Sequence, residues 1–369
     1  MRKYVLFIFL ILGFQLAGQS IKLQKETIYK GDFIGSVSQV ALDSKGKIYV
    51  SDLTNNCIHL FFNSGKYLKH IGREGKGPGE FEDISGLQIS KKDSLYVLDG
   101  KINRITVFSS GKFEHPIYTI NIPGGIINNF ISSVGWLNGN VINNGLWVDA
   151  SNNIFVSYSE TFSAGNLDKP HYLKIYKLNH LGKFADKNPL IKIKNNERLI
   201  LKGGNSSFSV LRMPFGQTPI VEIGSDGYLY FANSDVFDIK AIDISGKIVR
   251  NLKYKLKPVR IKQSMWNEAI ENNEYLTQKA LNNSLTPLPE YKRLFDYFVV
   301  DDKGRIWVAT NTADNKNYIW MIFDKNNKLI TKLKFSKSVV LKIIKKGYAY
   351  GIYTDNMGFQ SVIKYTIKN

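Results

Sequence analysis

Along most of this chain, apolar and polar positions alternate with a period of two in short runs separated by tight turns. That is the pattern of half-buried strands joined as hairpins. Six runs carry an aromatic at their centre: Lys47-Ile48-Tyr49-Val50, Ser94-Leu95-Tyr96-Val97, Asn153-Ile154-Phe155-Val156, Tyr228-Leu229-Tyr230-Phe231, Arg305-Ile306-Trp307-Val308 and Tyr348-Ala349-Tyr350-Gly351. Turns such as Asp43-Ser44-Lys45-Gly46, Gly224-Ser225-Asp226-Gly227 and Asp301-Asp302-Lys303-Gly304 precede them. Glycine in the last position tolerates positive φ, and Asp or Ser bonds the turn's own backbone. A second set of turns, Asn63-Ser64-Gly65-Lys66 and Ser109-Ser110-Gly111-Lys112 among them, leads to a further strand.

The aromatic strands recur at intervals of 47, 59, 75, 77 and 43 residues. An all-strand unit of about 40–50 residues cannot bury its own apolar face and must stack on copies of itself. The pattern therefore predicts an all-β fold: a six-bladed β-propeller of four-stranded antiparallel blades. The sixth unit has one strand too few after Tyr350, and residues 21–30 have strand character without a local partner. The N-terminal strand is thus expected to close the ring, which removes exposed edges. One segment departs from the period of two. Ile261, Met265, Ala269, Ile270, Leu276, Ala280 and Leu281 follow near-helical spacing, which predicts a helix over about 261–282 within a helical insertion at about 258–290, between blades 4 and 5.

Residues 1–20 read differently. Arg2 and Lys3 precede an apolar run from Tyr4 to Phe14 and then Leu16-Ala17-Gly18-Gln19-Ser20, the order of a secretory signal peptide. The run is shorter than the roughly 20 residues a membrane span needs. The expectation is a signal peptide cleaved near residues 18–20, a mature domain over 21–369 with no transmembrane segment, and a monomer in the periplasm or at the cell surface. Cys57 is the single cysteine, so no internal disulfide forms. The net charge of +19 comes from lysines dispersed through hairpins rather than from basic runs, which, with export, argues against nucleic acid as a partner.

Val50-Ser51-Asp52 with Asn55 to Phe62, and Val97-Leu98-Asp99 with Asn103-Arg104-Ile105 and Val107-Phe108, resemble the core of the NHL repeat. Gly72-Arg73-Glu74-Gly75-Lys76-Gly77-Pro78-Gly79-Glu80-Phe81 resembles the glycine-rich stretch that joins successive repeats. The resemblance implies a bacterial exported six-bladed propeller of uncharacterised function. Related six-bladed lactonases hold a central calcium ion with carboxylates and amides. Here Asp52, Asp99 and Asn233 could supply part of such a set, whereas Tyr158, Thr310 and Tyr353 stand at other corresponding positions.

The long connections, 118–143, 159–170, 194–218 and 256–294, join strand two to three or one blade to the next. In a propeller both kinds emerge on one face, where a rigid scaffold presents function. The candidates on that face are Arg73, Lys76, Trp136, His171, Arg212, Phe215 and Trp266, with core packing as the alternative for Trp266. At the channel mouth stand Asp52, Asp99, Asn233 and Thr310, whose alternative role is to bond loop backbones. No nucleophile elbow and no His/Cys metal motif occurs. The reading is a non-catalytic binding or scaffold module for a protein, peptide or glycan, without a cofactor. The alternative is a calcium-dependent, lactonase-like hydrolase at the channel mouth.

Overall fold

In the computed structural model, which describes residues 21–368 apart from 32, 124–144, 160–168, 203–207 and 274, six four-stranded antiparallel sheets follow one another around a ring. After β1 (Lys22–Tyr29), blade one contains β2 (Val37–Leu42), β3 (Ile48–Asp52), β4 (Cys57–Phe61) and β5 (Tyr67–Ile71). Blade two is β6 (Ile84–Ile89), β7 (Leu95–Asp99), β8 (Arg104–Phe108) and β9 (Tyr118–Asn121). Blade three is β10 (Leu146–Val148), β11 (Ile154–Ser159), β12 (Tyr172–Lys177) and β13 (Ile191–Lys194). A separate hairpin, β14 (Arg198–Lys202) with β15 (Phe208–Arg212), precedes blade four: β16 (Pro219–Ile223), β17 (Leu229–Asn233), β18 (Asp238–Ile242) and β19 (Ile248–Lys253). Helices α1 (Gln263–Glu271) and α2 (Gln278–Asn282) then lead to blade five: β20 (Phe295–Val300), β21 (Ile306–Thr310), β22 (Asn317–Phe323) and β23 (Leu329–Ser336). Blade six is β24 (Val339–Lys345), β25 (Tyr348–Thr354) and β26 (Gln360–Lys368), with β1 as its outer strand. Lys22 pairs opposite Lys368 and Tyr29 opposite Val362, so the ring closes through the N-terminal strand, as its unpaired strand pattern predicts.

The six aromatics do one job. Tyr49, Tyr96, Phe155, Tyr230, Trp307 and Tyr350 are each at most 4% exposed. Each packs in an apolar wedge shared with the following blade, for example Tyr49 with Ile84, Leu87 and Val97, or Tyr350 with Val37 and Val50. The same pattern recurs at every junction of the ring. The core is thus six inter-blade wedges, which is why no blade is stable on its own apolar surface. Three of the aromatics also reach the turn that precedes their strand. Tyr49 Oη donates to Asp43, Tyr230 Oη to Asp226 at 2.7 Å, and Trp307 Nε1 to Asp301 at 2.9 Å. A buried polar tip satisfied this way links turn and core in one contact.

The helical insertion differs from one continuous helix. The chain leaves helical geometry at Asn272 and Asn273, and a second, shorter helix starts at Thr277, whose hydroxyl accepts the Ala280 N–H. Asn side chains compete for backbone hydrogen bonds and favour such breaks. The two long insertions also pack on each other. Leu199, Leu211 and Met213 around the β14–β15 hairpin share a seventh apolar cluster with Trp266, Leu276 and Leu281 of the helical segment. The Leu285 N–H donates to the Ile200 carbonyl across the same junction. Together these segments form a small cap beside blades four and five.

Candidate functional site

The glycine-rich stretch joining blades one and two is held from beneath. Gly72 has φ +79°, and a Cβ there would lie 2.3 Å from the Phe81 ring, so only glycine fits. Arg104 on β8 donates to the carbonyls of Lys76, Gly77 and Glu80 at 2.7, 3.1 and 2.6 Å. Above this anchor Arg73 pairs with Glu80 at 2.8 Å while its side chain remains 80% exposed, and Lys76 lies 3.8 Å from Glu82. Replacing Arg104 by Ala leaves three carbonyls without their donor. A loss of about 2 kcal/mol is expected, with amide-exchange protection falling selectively over residues 72–81.

The channel-mouth residues are occupied by their own loops. The Asp52 carboxylate accepts from the N–H groups of Gly35, Ser36, Thr54 and Asn55, from Asn55 Nδ2, and from His59 Nε2 at 3.0 Å. Burial opposes its ionisation, but hydrogen bonds from His59, Gly35 and Asn55 overcome that and hold the group well below the usual carboxylate range. Asp52, Cys57 and His59 bring ligand-type atoms within 4.8 Å of one another. A carboxylate offers about four lone-pair positions, however, and six donors already converge on this one. The set does not fit a cation without loss of loop contacts. Asp99 likewise accepts from the N–H groups of Glu82, Lys101 and Ile102. Asn233 Nδ2 donates to the Lys194 carbonyl, and Thr310 Oγ1 to that of Ile319.

The remaining sequence candidates divide. Trp136 lies outside the described residues. His171 is 8% exposed, and its carbonyl accepts the Asn195 N–H. Trp266 packs inside the cap, edge-on to Phe215 with ring centroids 5.2 Å apart. Phe215 lines a cavity of about 210 Å³ between the cap and blade five, whereas Arg212 is outside its lining. Phe215, Met265 and Ala269 form one wall, and Lys292, Arg293, Asp296, Asn311, Asn315 and Lys337 the other, with Glu268 and Asn272 at the α1 end. Phe215 has φ +61°, an outlier for a bulky residue and a place where strain is held by its surroundings. Its carbonyl accepts the Arg293 N–H, which ties the strained turn to the charged wall.

The electrostatics of this cavity are one-sided. Arg293 Nε pairs with Asp296 Oδ1 at 2.6 Å, and Asn311 and Tyr318 donate to the same carboxylate. Burial resists the Asp296 charge, but Arg293 and Lys337 hold its carboxyl well below the usual range. Lys292 is 4% exposed and donates to Thr312 O and Asn315 Oδ1. Lys337 donates to Asn311 Oδ1 and lies over the Tyr318 ring. Burial, reinforced by Lys337, pushes the Lys292 ammonium down to about 8, and burial with neighbouring Arg293 lowers Arg212 to about 10. The sequence pattern missed Lys292, Asp296 and Lys337. The legible signal was three charges in Lys292-Arg293-Leu294-Phe295-Asp296, at the entry to a buried inner strand.

The comparisons with known proteins agree with this architecture. Residues 30–135 match the DUF5128 family, described as a 6-bladed beta-propeller. No curated protein matches the sequence. Among solved structures, the chain is similar to a Bacteroides fragilis protein provisionally named as exported, with 12% identity over 95% of this chain and 96% of that one, at a TM-score of 0.56. It is also similar to a DUF4221 family member from Bacteroides vulgatus, with 13% identity over 95% and 99% of the two chains and a TM-score of 0.51. Likeness at this identity concerns the fold alone. The fold is that of bacterial six-bladed propellers.

Proposed function

We propose that the chain is an exported, NHL-like recognition module, released from its signal peptide near residues 18–20, that binds a ligand through the face bearing its long connections. The observation that carries this reading is the asymmetry of the ring. The connections within hairpins on one face are tight turns led mostly by Asp, Asn, Ser or Gly, whereas the other face carries the Arg104-anchored glycine loop, the two-insertion cap and the cavity. Arg73 and Lys76, exposed on a fixed loop, suit recognition of an acidic or hydroxyl-rich ligand.

The test compares the two faces. The mature chain is immobilised and exposed to envelope extract of its own cell, as wild type, as Arg73→Glu with Lys76→Glu, and as Lys45→Glu with Lys112→Glu on the tight-turn side. Capture is expected to fall at least tenfold in the first variant and to persist in the second. Loss in the second variant alone would sink the reading.

A further inference from the structure

The cavity between the cap and blade five holds more positive charge than its own residues neutralise. Asp296 is committed to Arg293, Asn311 and Tyr318. Glu268 is exposed at the rim, where it accepts from Asn315 Nδ2. The ammoniums of buried Lys292 and half-buried Lys337 end on neutral acceptors, and among the described residues neither has a carboxylate at ion-pair distance. Arg212, half-buried and outside the cavity lining, donates to Thr218 Oγ1. Buried cations without counter-ions are costly, and an arrangement of this kind is stabilised when an anion enters.

The rest of the cavity limits what the anion can be. Facing the lysines is an apolar wall whose Phe215 ring is fixed by Trp266 and by a left-handed backbone. Between the walls, the Asn311 amide donates to the Arg293 carbonyl and Asp296 and that of Asn315 to Glu268, while their oxygens accept from Lys337 and Lys292 and keep a second lone pair each for a donating hydroxyl. The last turn of α1 borders the opening at Asn272, and carbonyl-rich helix ends favour donating hydroxyls over a second anionic group. A phosphate would leave the aromatic wall unused. An amino acid would bring its ammonium against Lys292 and Lys337. The volume, about 210 Å³, lies below the roughly 300–1,000 Å³ of sites that enclose drug-sized ligands, so it suits a single ring.

Resting on the recognition reading above, we propose that this cavity binds a sugar acid. Its carboxylate sits against Lys292 and Lys337, its C–H face on Phe215, and its hydroxyls donate to the asparagine amide oxygens. Such a ring is available either as a free hexuronate or as the terminal residue of an acidic glycan.

Titration calorimetry on residues 21–369 tests this with galacturonate, galactose, acetate, inorganic phosphate and a short oligogalacturonide. Galacturonate is expected to bind at least tenfold more tightly than galactose, acetate or phosphate. Lys337→Met is expected to lose at least tenfold of that affinity without a lower melting temperature, because one half-buried charge is removed. A stronger response to the oligomer assigns the site to glycan ends, and an equal one to the free acid. Galactose or acetate binding as tightly as galacturonate would overturn the assignment, as would no binding at 10 mM (about four decades weaker than a micromolar site). The ligand comparison needs no variant, so a misfolded Lys337→Met protein does not protect the proposal. If galacturonate fails while Arg73→Glu/Lys76→Glu still abolishes capture, only the sugar-acid assignment falls. If neither responds, the recognition reading falls with it.

Discussion

Removal of residues 21–30 from a chain that begins at Ile21 is expected to lower the melting temperature by more than 10 °C and to cause aggregation. β1 is the outer strand of blade six, and its loss exposes the whole length of β26 as an open edge. It also removes Ile21 and Tyr29, 4% and 0% exposed, and the Tyr29 hydroxyl bond to the Asn63 carbonyl that ties blade six to blade one. Each buried side chain contributes about 1.5–3 kcal/mol through apolar area alone. Lys364, 3% exposed, loses Glu26, its partner at 2.7 Å, and a buried charge left alone adds further cost. Differential scanning calorimetry of the truncated and intact chains gives the answer. An unchanged transition would mean that the ring does not depend on β1.

Replacement of Asp52 by Ala should be the most damaging single change near the channel mouth. The carboxylate is fully buried and is the shared acceptor for two stretches of loop backbone, 35–36 and 54–55, as well as for His59. Its loss strands several donors at once, and about 3–5 kcal/mol is expected. Asp52→Asn, which keeps an acceptor but not the charge, should cost roughly half as much. The pH dependence carries a defined sign. The folded-state pKa lies below the ordinary 3.8, so the stabilisation is fully present above about pH 4 and drains away as pH falls further. Denaturant midpoints measured between pH 6 and 2.5 should therefore converge for wild type and Asp52→Ala. Parallel midpoints over that range would place the stabilisation elsewhere.

The fold was legible in the chain because its period is short and its markers are local. An aromatic such as Trp307 and a turn such as Asp301–Gly304 sit within a few residues of each other and bond directly, so their sequence spacing is also their spatial spacing. The helical insertion was legible in kind but not in continuity, since Asn272 and Asn273 break it through local hydrogen bonding that apolar spacing does not register. The cavity was largely illegible. Phe215, Met265, Lys292, Asn315 and Lys337 come from four connections spread over more than a hundred residues, and they meet only because two insertions share an apolar cluster. Lys337 reads in the sequence as one more hairpin lysine. Only its position over the Tyr318 ring, half-buried, distinguishes it from the solvated ones.

The Asp-led turns have a consequence for the route by which this molecule is made. Asp43, Asp149, Asp243, Asp301, Asp324 and Asp355 each accept, through one oxygen, the N–H groups two and four residues ahead. Such a turn is complete within five residues and asks nothing of distant chain. Hairpins of this sort form in microseconds, long before the last residues of a chain of this length are synthesised. Assembly is therefore divided in time: many fast local turns come first, blades gain stability as neighbours stack, and the search that unites the first strand with the last is the longest-range step.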